Sequence, residues 1–371
     1  MALVGAVLAL VGATVLPFVE LRANRLVPGT FESLAAAGWL AVPVVVSIVA
    51  GFAAAAAPWP AVRRATVRVA GWALVGSLAW ALGAAAASLL EGAPATARVS
   101  VGGGAWLMLA GAAVLATRAP RGPVVPALGV LAVVAALLWG DMSSLSLARE
   151  FAVRADSFWA LLGGHLALAG ASLLAGCLIG MPLGLWASRN ARVRAVVLAV
   201  TGVIETIPSL ALLGLLVVPL AALGTAFPIL REWGIRGIGP APGFIALTLY
   251  ALLPIVRNTY VGLAGVDAAV KDAGRGMGMS SMQLLARVEL PLAAPLIVDG
   301  VRTAAVLLIG ITALTVFAGA RNLGILIFEG LGQFAPDLIL LGALPIIALA
   351  VAVDVALSAL GRAVTPKGAR A

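Results

Sequence analysis

DAGRGMGMSSMQLLARVELP, residues Asp272–Pro291, is the longest well-marked polar stretch in a chain that otherwise reads as membrane. It carries Arg275 and Arg287 beside Asp272 and Glu289, with Asp267 and Lys271 just before it. Ser280-Ser-Met-Gln283 has the Ser-x-x-Gln form of a capping box, in which Ser280 accepts from a free backbone N–H while Gln283 reaches back to the cap. A short helix is therefore expected to start near Ser281. Proline has no N–H and disfavours helix in the residue before it, so this helix is expected to stop before Pro291. Gly274, Gly276 and Gly278 lie upstream, where glycine permits a tight turn or a close backbone approach.

Outward from this stretch the sequence is apolar. Of 371 residues 63% are hydrophobic and the mean hydropathy is +1.13, more than a soluble core of this size needs. The apolar residues fall in blocks near the ~20 residues that cross ~30 Å of hydrocarbon. The expected spans are Met1–Val19, Ala35–Ala57, Ala70–Leu90, Gly103–Thr117 and Pro123–Gly140 in the first half. In the second they are Leu161–Ala187, Ala195–Ala221, Gly243–Leu263, Ala293–Ala318 and Leu338–Leu360. Met1–Pro17 lacks the basic start of a signal peptide and counts as a span. The expectation is an all-α polytopic membrane protein of about ten transmembrane helices. It divides into a membrane extension of about five helices at 1–140, an outer-face linker at 141–160, a core at 161–360 and a tail at 361–371. The core carries a loop at 264–292.

The net charge of +9 reports orientation. With the N-terminus in the cytoplasm, fourteen Lys and Arg fall on that side against eight outside, as the positive-inside rule asks. The tally includes Arg63, Arg64, Arg68, Arg118, Arg121, Arg194, Lys367 and Arg370 inside, and Arg22, Arg25 and Arg149 outside. Both termini and the 264–292 loop are then cytoplasmic. Anionic lipid, not nucleic acid, is the expected partner for this charge.

TGVIETIPSLALLGLLVVPL, from Thr201, puts Glu205 about ten residues into a span, roughly 15 Å deep. An ionisable residue at that depth by default marks a pathway or a buried partner. Pro208 removes a helical hydrogen bond nearby, so the backbone can open there, with Thr206 and Ser209 able to satisfy freed groups. Glu205 either lines a pathway or pairs within the bundle, with Arg257 or Arg302. Asn258 and Tyr260 bring further polar groups into the span that ends LYALLPIVRNTYVGL. Ser172, Gly176, Gly180 and Gly184, each four apart, line one helix face for close packing. GARNLGILIFEGLGQF, between the last two spans, is too short and polar to cross and reads as a small outer-face helix.

Acid–base and metal chemistry lack the residues. His165 is the only histidine, without ligand partners at useful spacing, and Cys177 the only cysteine, so no disulfide framework exists. Gly102-Gly-Gly104 is not a phosphate loop, because no Gly-Lys-Ser/Thr follows. Trp59, Trp139, Trp159 and Trp186 stand at span edges as interfacial anchors.

The Asp272 stretch resembles the EAA loop of ABC-importer permeases: E-A-A, three residues, G, nine residues, an aliphatic, one residue, L-P. Asp272, Ala273 and Gly274 open it, Gly278 is the glycine, Val288 the aliphatic, and Leu290-Pro291 close it, with Ser280 and Gln283 in the helix start. Asp for Glu and Gly274 for the second Ala depart from the motif. With IPSLALLGLLVVP, LPIVRNTYVGL and VRTAAVLLIGITAL, the region from about Leu161 to Leu360 is similar to the permease subunit of osmoprotectant importers, which carry glycine betaine, choline and carnitine. A five-span extension resembles a long subgroup of that family.

The resemblance implies a five-helix permease core, a bacterial inner-membrane location, and a pathway formed with a second permease subunit, homo- or heterodimeric. It implies separate ATPase subunits, holding ATP and Mg, docked on the cytoplasmic loop, and an external solute-binding protein. This chain itself would hold no cofactor and no metal and would not be an enzyme. Glu205, Thr206, Pro208, Ser209, Asn258 and Tyr260 are the expected pathway residues. Two other readings stay open: an ABC permease for another small solute such as an amino acid, and an ion-coupled secondary transporter with Glu205 as its proton or ion site.

Overall fold

The computed structural model describes residues 1–24, 27–117, 124–232 and 234–365. Arg25, Arg118, Arg121, Lys367 and Arg370 of the charge tally, and Pro123 at the start of the fifth expected span, lie outside them. Among the described residues seven helical segments are long and apolar enough to cross a membrane, and Ala2–Thr14, Gly103–Ala116 and Leu128–Trp139 are shorter apolar helices. The chain divides into two compact units, Met1–Arg154 with Gly330–Leu338, and Ala155–Glu329 with Ile339–Ala371.

The first unit contains α1 (Ala2–Thr14), α2 (Ala41–Ala56), α3 (Pro60–Leu90), α4 (Gly103–Ala116) and α5 (Val124–Trp139). Helices α1 and α4 lie in backbone contact: a Cβ at Gly12 would stand 2.5 Å from the Gly104 carbonyl oxygen, and one at Gly111 equally close to that of Gly5. A small antiparallel sheet, unexpected from the sequence, joins β1 (Val19–Arg22) to β2 (Thr30–Glu32) on one side and β3 (Arg98–Val101) on the other. Val19 and Val99 point into the core beside Phe18, Leu74, Leu78 and Met108. The charged residues of this layer pair: Arg22 with Glu20 at 2.9 Å, and Arg98 with the buried Glu150 at 3.1 Å. Ser100 donates to Asp337 at 2.6 Å.

The 141–160 segment, expected as a linker, is largely helical. After a short 3-10 turn at Met142–Ser144, helix α6 (Ser146–Arg189) starts inside it and runs 44 residues into the second unit. No proline or glycine interrupts Ser146–Leu162, so once started the helix continues.

The second unit adds α7 (Ala191–Thr206), α8 (Ser209–Ala226), α9 (Pro228–Glu232), α10 (Pro240–Ala264), α11 (Ala268–Gly276), α12 (Ser281–Leu284), α13 (Leu290–Thr312), α14 (Gly324–Gly332) and α15 (Pro336–Val364). Helix α10 is its centre, with Leu247, Ala251 and Ile255 fully buried. The expected small-residue face of α6 packs on it. Ser172 is buried near the Phe244 carbonyl, Gly176 faces Ala251, Gly180 faces Ile255, and Gly184 faces Thr259. On another side Gly300 of α13 lies against Asn258 and the Pro254 carbonyl. His165 is structural, as expected: its buried Nε2 donates to the Ile309 carbonyl at 3.0 Å. Trp59, Trp139, Trp159 and Trp186 are all exposed, which suits rings at an interface.

Four spans differ from expectation. Met1–Val19 ends as helix at Thr14 and reaches β1 at Val19, and Ala35–Ala57 begins as a 3-10 turn, Leu34–Leu40, before α2. Ala195–Ala221 is two helices, α7 and α8, parted at Ile207-Pro208. Ala293–Ala318 leaves α-helix at Thr312 and finishes as a 3-10 turn, Ala313–Ala318, ended by Gly319 at φ +90°. The region between the last two spans does form a short helix, α14.

Candidate functional site

The polar stretch folds as a helical hairpin that then runs into a membrane-length helix. Asp267 caps α11, its side chain accepting from Ala269 N–H at 2.9 Å. The helix closes on Gly278, which sits at φ +81°. Met279 N–H reaches the Gly274 carbonyl and Gly278 N–H the Arg275 carbonyl. These are the paired bonds of a Schellman stop, whose left-handed position favours glycine. The expected capping box then starts α12: Gln283 N–H donates to Ser280 Oγ at 3.3 Å, and Ser280 N–H to Gln283 Oε1 at 2.8 Å.

The helix does not stop before Pro291. A π turn, Leu285–Glu289, joins α12 to α13, and Pro291 lies in the first turn of α13. Proline lacks the N–H for an i→i−4 bond and clashes with that carbonyl. The wider π turn moves the register before the proline and lets the helix pass it. The turn also sets two side chains inward. Leu284 and Glu289, five apart, are both buried, whereas in an unbroken α-helix residues five apart do not share a face. Leu284 Cδ1 occupies the space over Gly274, 2.7 Å from where a Cβ would stand. Glu289 receives both guanidinium nitrogens of Arg189, the last residue of α6, with Nη1 3.1 Å from Oε1.

Outward the hairpin presents Asp272, ion-paired to Arg275 at 2.8 Å, and Ala273. Val270, Met277 and Met282 are exposed apolar side chains on the same hairpin, Met277 to 73% and Met282 to 71%. Val288 is half-buried, and Leu290 and Pro291 are exposed.

The second place of interest is the break between α7 and α8. Ile207 is extended, at φ −72° and ψ 125°, because a residue before proline avoids helical angles. Its carbonyl, freed from the helix ladder, accepts the hydroxyl of the buried Tyr250 on α10. Glu205, Pro208 and Thr206 are exposed at this break and Ser209 half-exposed, with Thr206 Oγ1 returned to the Val203 carbonyl at 2.7 Å. Tyr250→Phe should lower the thermal midpoint of the purified protein, corresponding to roughly 1–3 kcal/mol for an unsatisfied carbonyl. An unchanged midpoint would mean that the carbonyl finds another partner.

The structure does not gather all six expected pathway residues. Glu205, Thr206, Pro208 and Ser209 share the break. Asn258 instead faces Gly300 of α13 and donates to the Pro254 carbonyl at 2.9 Å. Tyr260 receives Arg194 Nη1 at 3.1 Å, and Arg194 opens α7, about 16 Å along that helix from Glu205. The expected pairing of Glu205 with Arg302 is also absent. Arg302 binds Asp354 at 2.6 Å and Asp299 at 3.1 Å, because α15 brings a carboxylate that no sequence spacing placed there. No ion pair joins Glu205 to Arg257 among the described residues, and both are exposed. No group of three His, Cys, Asp or Glu among them could hold a metal.

Known proteins match this chain in both parts. Residues 176–367 match the family described as "Binding-protein-dependent transport system inner membrane component", and residues 1–148 match "ABC transporter permease YehY, N-terminal domain". The chain is similar to the carnitine transport permease protein OpuCB of Listeria monocytogenes, 39% identical over 206 residues, 56% of this chain and 87% of the relative. It is 36% identical to the glycine betaine/carnitine/choline transport system permease protein OpuCB of Bacillus subtilis (strain 168), over 56% of this chain and 88% of that one. It is 38% identical to the osmoprotectant import permease protein OsmW of Salmonella typhimurium, over 56% and 91%. Among solved structures, an inward-facing MetNI methionine ABC transporter matches with TM-score 0.49 and 24% identity, covering 56% of this chain and 96% of that chain.

Proposed function

The chain belongs to the binding-protein-dependent transport system inner membrane component family, the permeases of ABC importers, and on that premise we propose that it forms the membrane pathway for an osmoprotectant such as glycine betaine, carnitine or choline. It is a membrane transporter subunit and not an enzyme. The observation that carries the coupling role is the α11–α12 hairpin, which holds Met277 and Met282 exposed. Large apolar side chains in the open on a polar, capped hairpin mark a surface that another protein covers. The partner is the ATPase subunit, which holds ATP and Mg.

The coupling element comprises Asp272, Ala273, Gly274, Gly278, Ser280, Gln283, Val288, Leu290 and Pro291. The transport core is 161–360, and 1–140 is an added membrane unit. This reading is supported by the extent of the similarity, which covers about half the chain. A second permease subunit and an external solute-binding protein complete the importer. The chain lies in the bacterial inner membrane with the hairpin and both termini in the cytoplasm, where an ATPase reaches the hairpin. The α7–α8 break belongs to the pathway: an ionisable Glu205 beside opened backbone is tolerated at membrane depth only toward water or protein.

The test is co-purification with the ATPase and binding protein of the same system and reconstitution in liposomes. Glycine betaine, carnitine or choline should stimulate ATP hydrolysis and enter the vesicles. Glu205→Gln should reduce uptake while yield and ATPase association stay normal. Stimulation by an amino acid and none of the three osmoprotectants would overturn the substrate class. Failure to hold the ATPase would overturn the coupling role.

A further inference from the structure

Glu289 is fully buried, and a carboxylate does not stay buried without paired, hydrogen-bonded charge. Its partner Arg189 is the last residue of α6, one hundred positions earlier in the chain. Beside the pair, the end of α6 and the hairpin stand apart across a cleft of about 500 Å³. Leu185 and Arg189 line it on one side and Met279, Met282 and Leu285 on the other. The ion pair thus bridges two elements at a place where packing does not fill the space between them. The π turn supplies the geometry. It sets Leu284 under α11 and Glu289 toward α6 at once, so a displacement of the hairpin is carried to the carboxylate. Helix α6 in turn lies in close contact with the central α10 through Gly176, Gly180 and Gly184.

We propose that Arg189 and Glu289 are a positioning pair, a strut through which the α11–α12 hairpin moves α6 together with α13. The coupling part of this inference rests on the permease reading above; the mechanical part does not. Bidentate guanidinium–carboxylate geometry suits the task, because two parallel bonds fix direction as well as distance, which a single lysine contact would not. With the strut broken, α13 still follows the hairpin through the continuous helix, while the Arg189 end of α6 is left with its packing on α10 at Gly184, its bond to α13 from His165 to the Ile309 carbonyl lying ~36 Å along the helix.

Two readouts separate the parts. For the strut, spin labels at Trp186→Cys and Met282→Cys, in a Cys177→Ser background, report the α6–α12 distance in the purified protein in nanodiscs. The distance distribution should be narrow with Arg189 and Glu289 intact and at least twofold broader in Glu289→Gln. Equal widths would overturn the strut. For coupling, the reconstituted importer carrying Glu289→Gln should keep its yield, ATPase association and basal hydrolysis. Glycine betaine-stimulated hydrolysis and uptake should fall tenfold or more, and the swap of Arg189→Glu with Glu289→Arg should restore part of both. Normal stimulation in Glu289→Gln would overturn the coupling role even if the distances broaden. Loss of ATPase association would reduce the pair to a folding element. An intact importer that responds to no osmoprotectant would count against the substrate reading and leave the distance test to decide the strut.

Discussion

The Gly278→Arg protein is expected to insert and fold at near wild-type levels and to transport nothing. Gly278 is the left-handed residue of the Schellman stop at φ +81°, so any other L-residue there costs about 1–2 kcal/mol locally. The space a Cβ would take is open, with no heavy atom within 4 Å, so the chain itself does not reject bulk. Gly278 lies before the membrane-length segment Ser281–Ala318, and insertion should not notice the change. Loss of transport must then come from the arginine obstructing the partner. Gly278→Ala separates the causes, since it carries the backbone cost without the bulk, and should retain most transport. Gly332→Arg, at another open glycine, is the control and should leave ATPase association unchanged. Wild-type uptake by Gly278→Arg would remove the hairpin from the coupling path.

Gly184→Val should act in the opposite way, through folding and not through a partner. A Cβ at Gly184 would stand 2.6 Å from Thr259 Cβ and 2.8 Å from the Val256 carbonyl oxygen. Neither is the free end of a flexible side chain, so α6 and α10 must separate. Overpacking costs roughly 1–3 kcal/mol, and the backbone on the far side puts this change near ~3 kcal/mol. Monodisperse protein recovered in detergent should fall steeply, and what survives should unfold at a lower temperature. Gly202→Val, in α7 with nothing within 4 Å of its Cβ position, should be recovered normally. Equal yields for the two would mean that α6 and α10 do not depend on this contact.

Prediction from local spacing succeeded where the cause was local. The capping box at Ser280–Gln283 acts within one turn and is present as read. The opening at Pro208 follows from its missing N–H and its effect on Ile207, and it became a full break. Helix α11 carries local signals too, Asp267 as its N-cap and Gly278 as its stop. The stop expected before Pro291 from its missing N–H does not occur, because the π turn at Leu285–Glu289 carries the helix into α13.

By itself the sequence determined that this is a membrane chain of about ten apolar segments, with one capped polar element between two of them. Those properties follow from composition, run length and contacts within a few residues. Only the tertiary structure decided which distant groups satisfy one another. Tyr250 answers the Ile207 carbonyl, Asp354 takes Arg302 from Glu205, and Arg189 holds Glu289. Each partner lies 43 to 100 positions away. Burial makes such groups find partners, but only the packing of α6, α10, α13 and α15 sets which partner comes within hydrogen-bond reach.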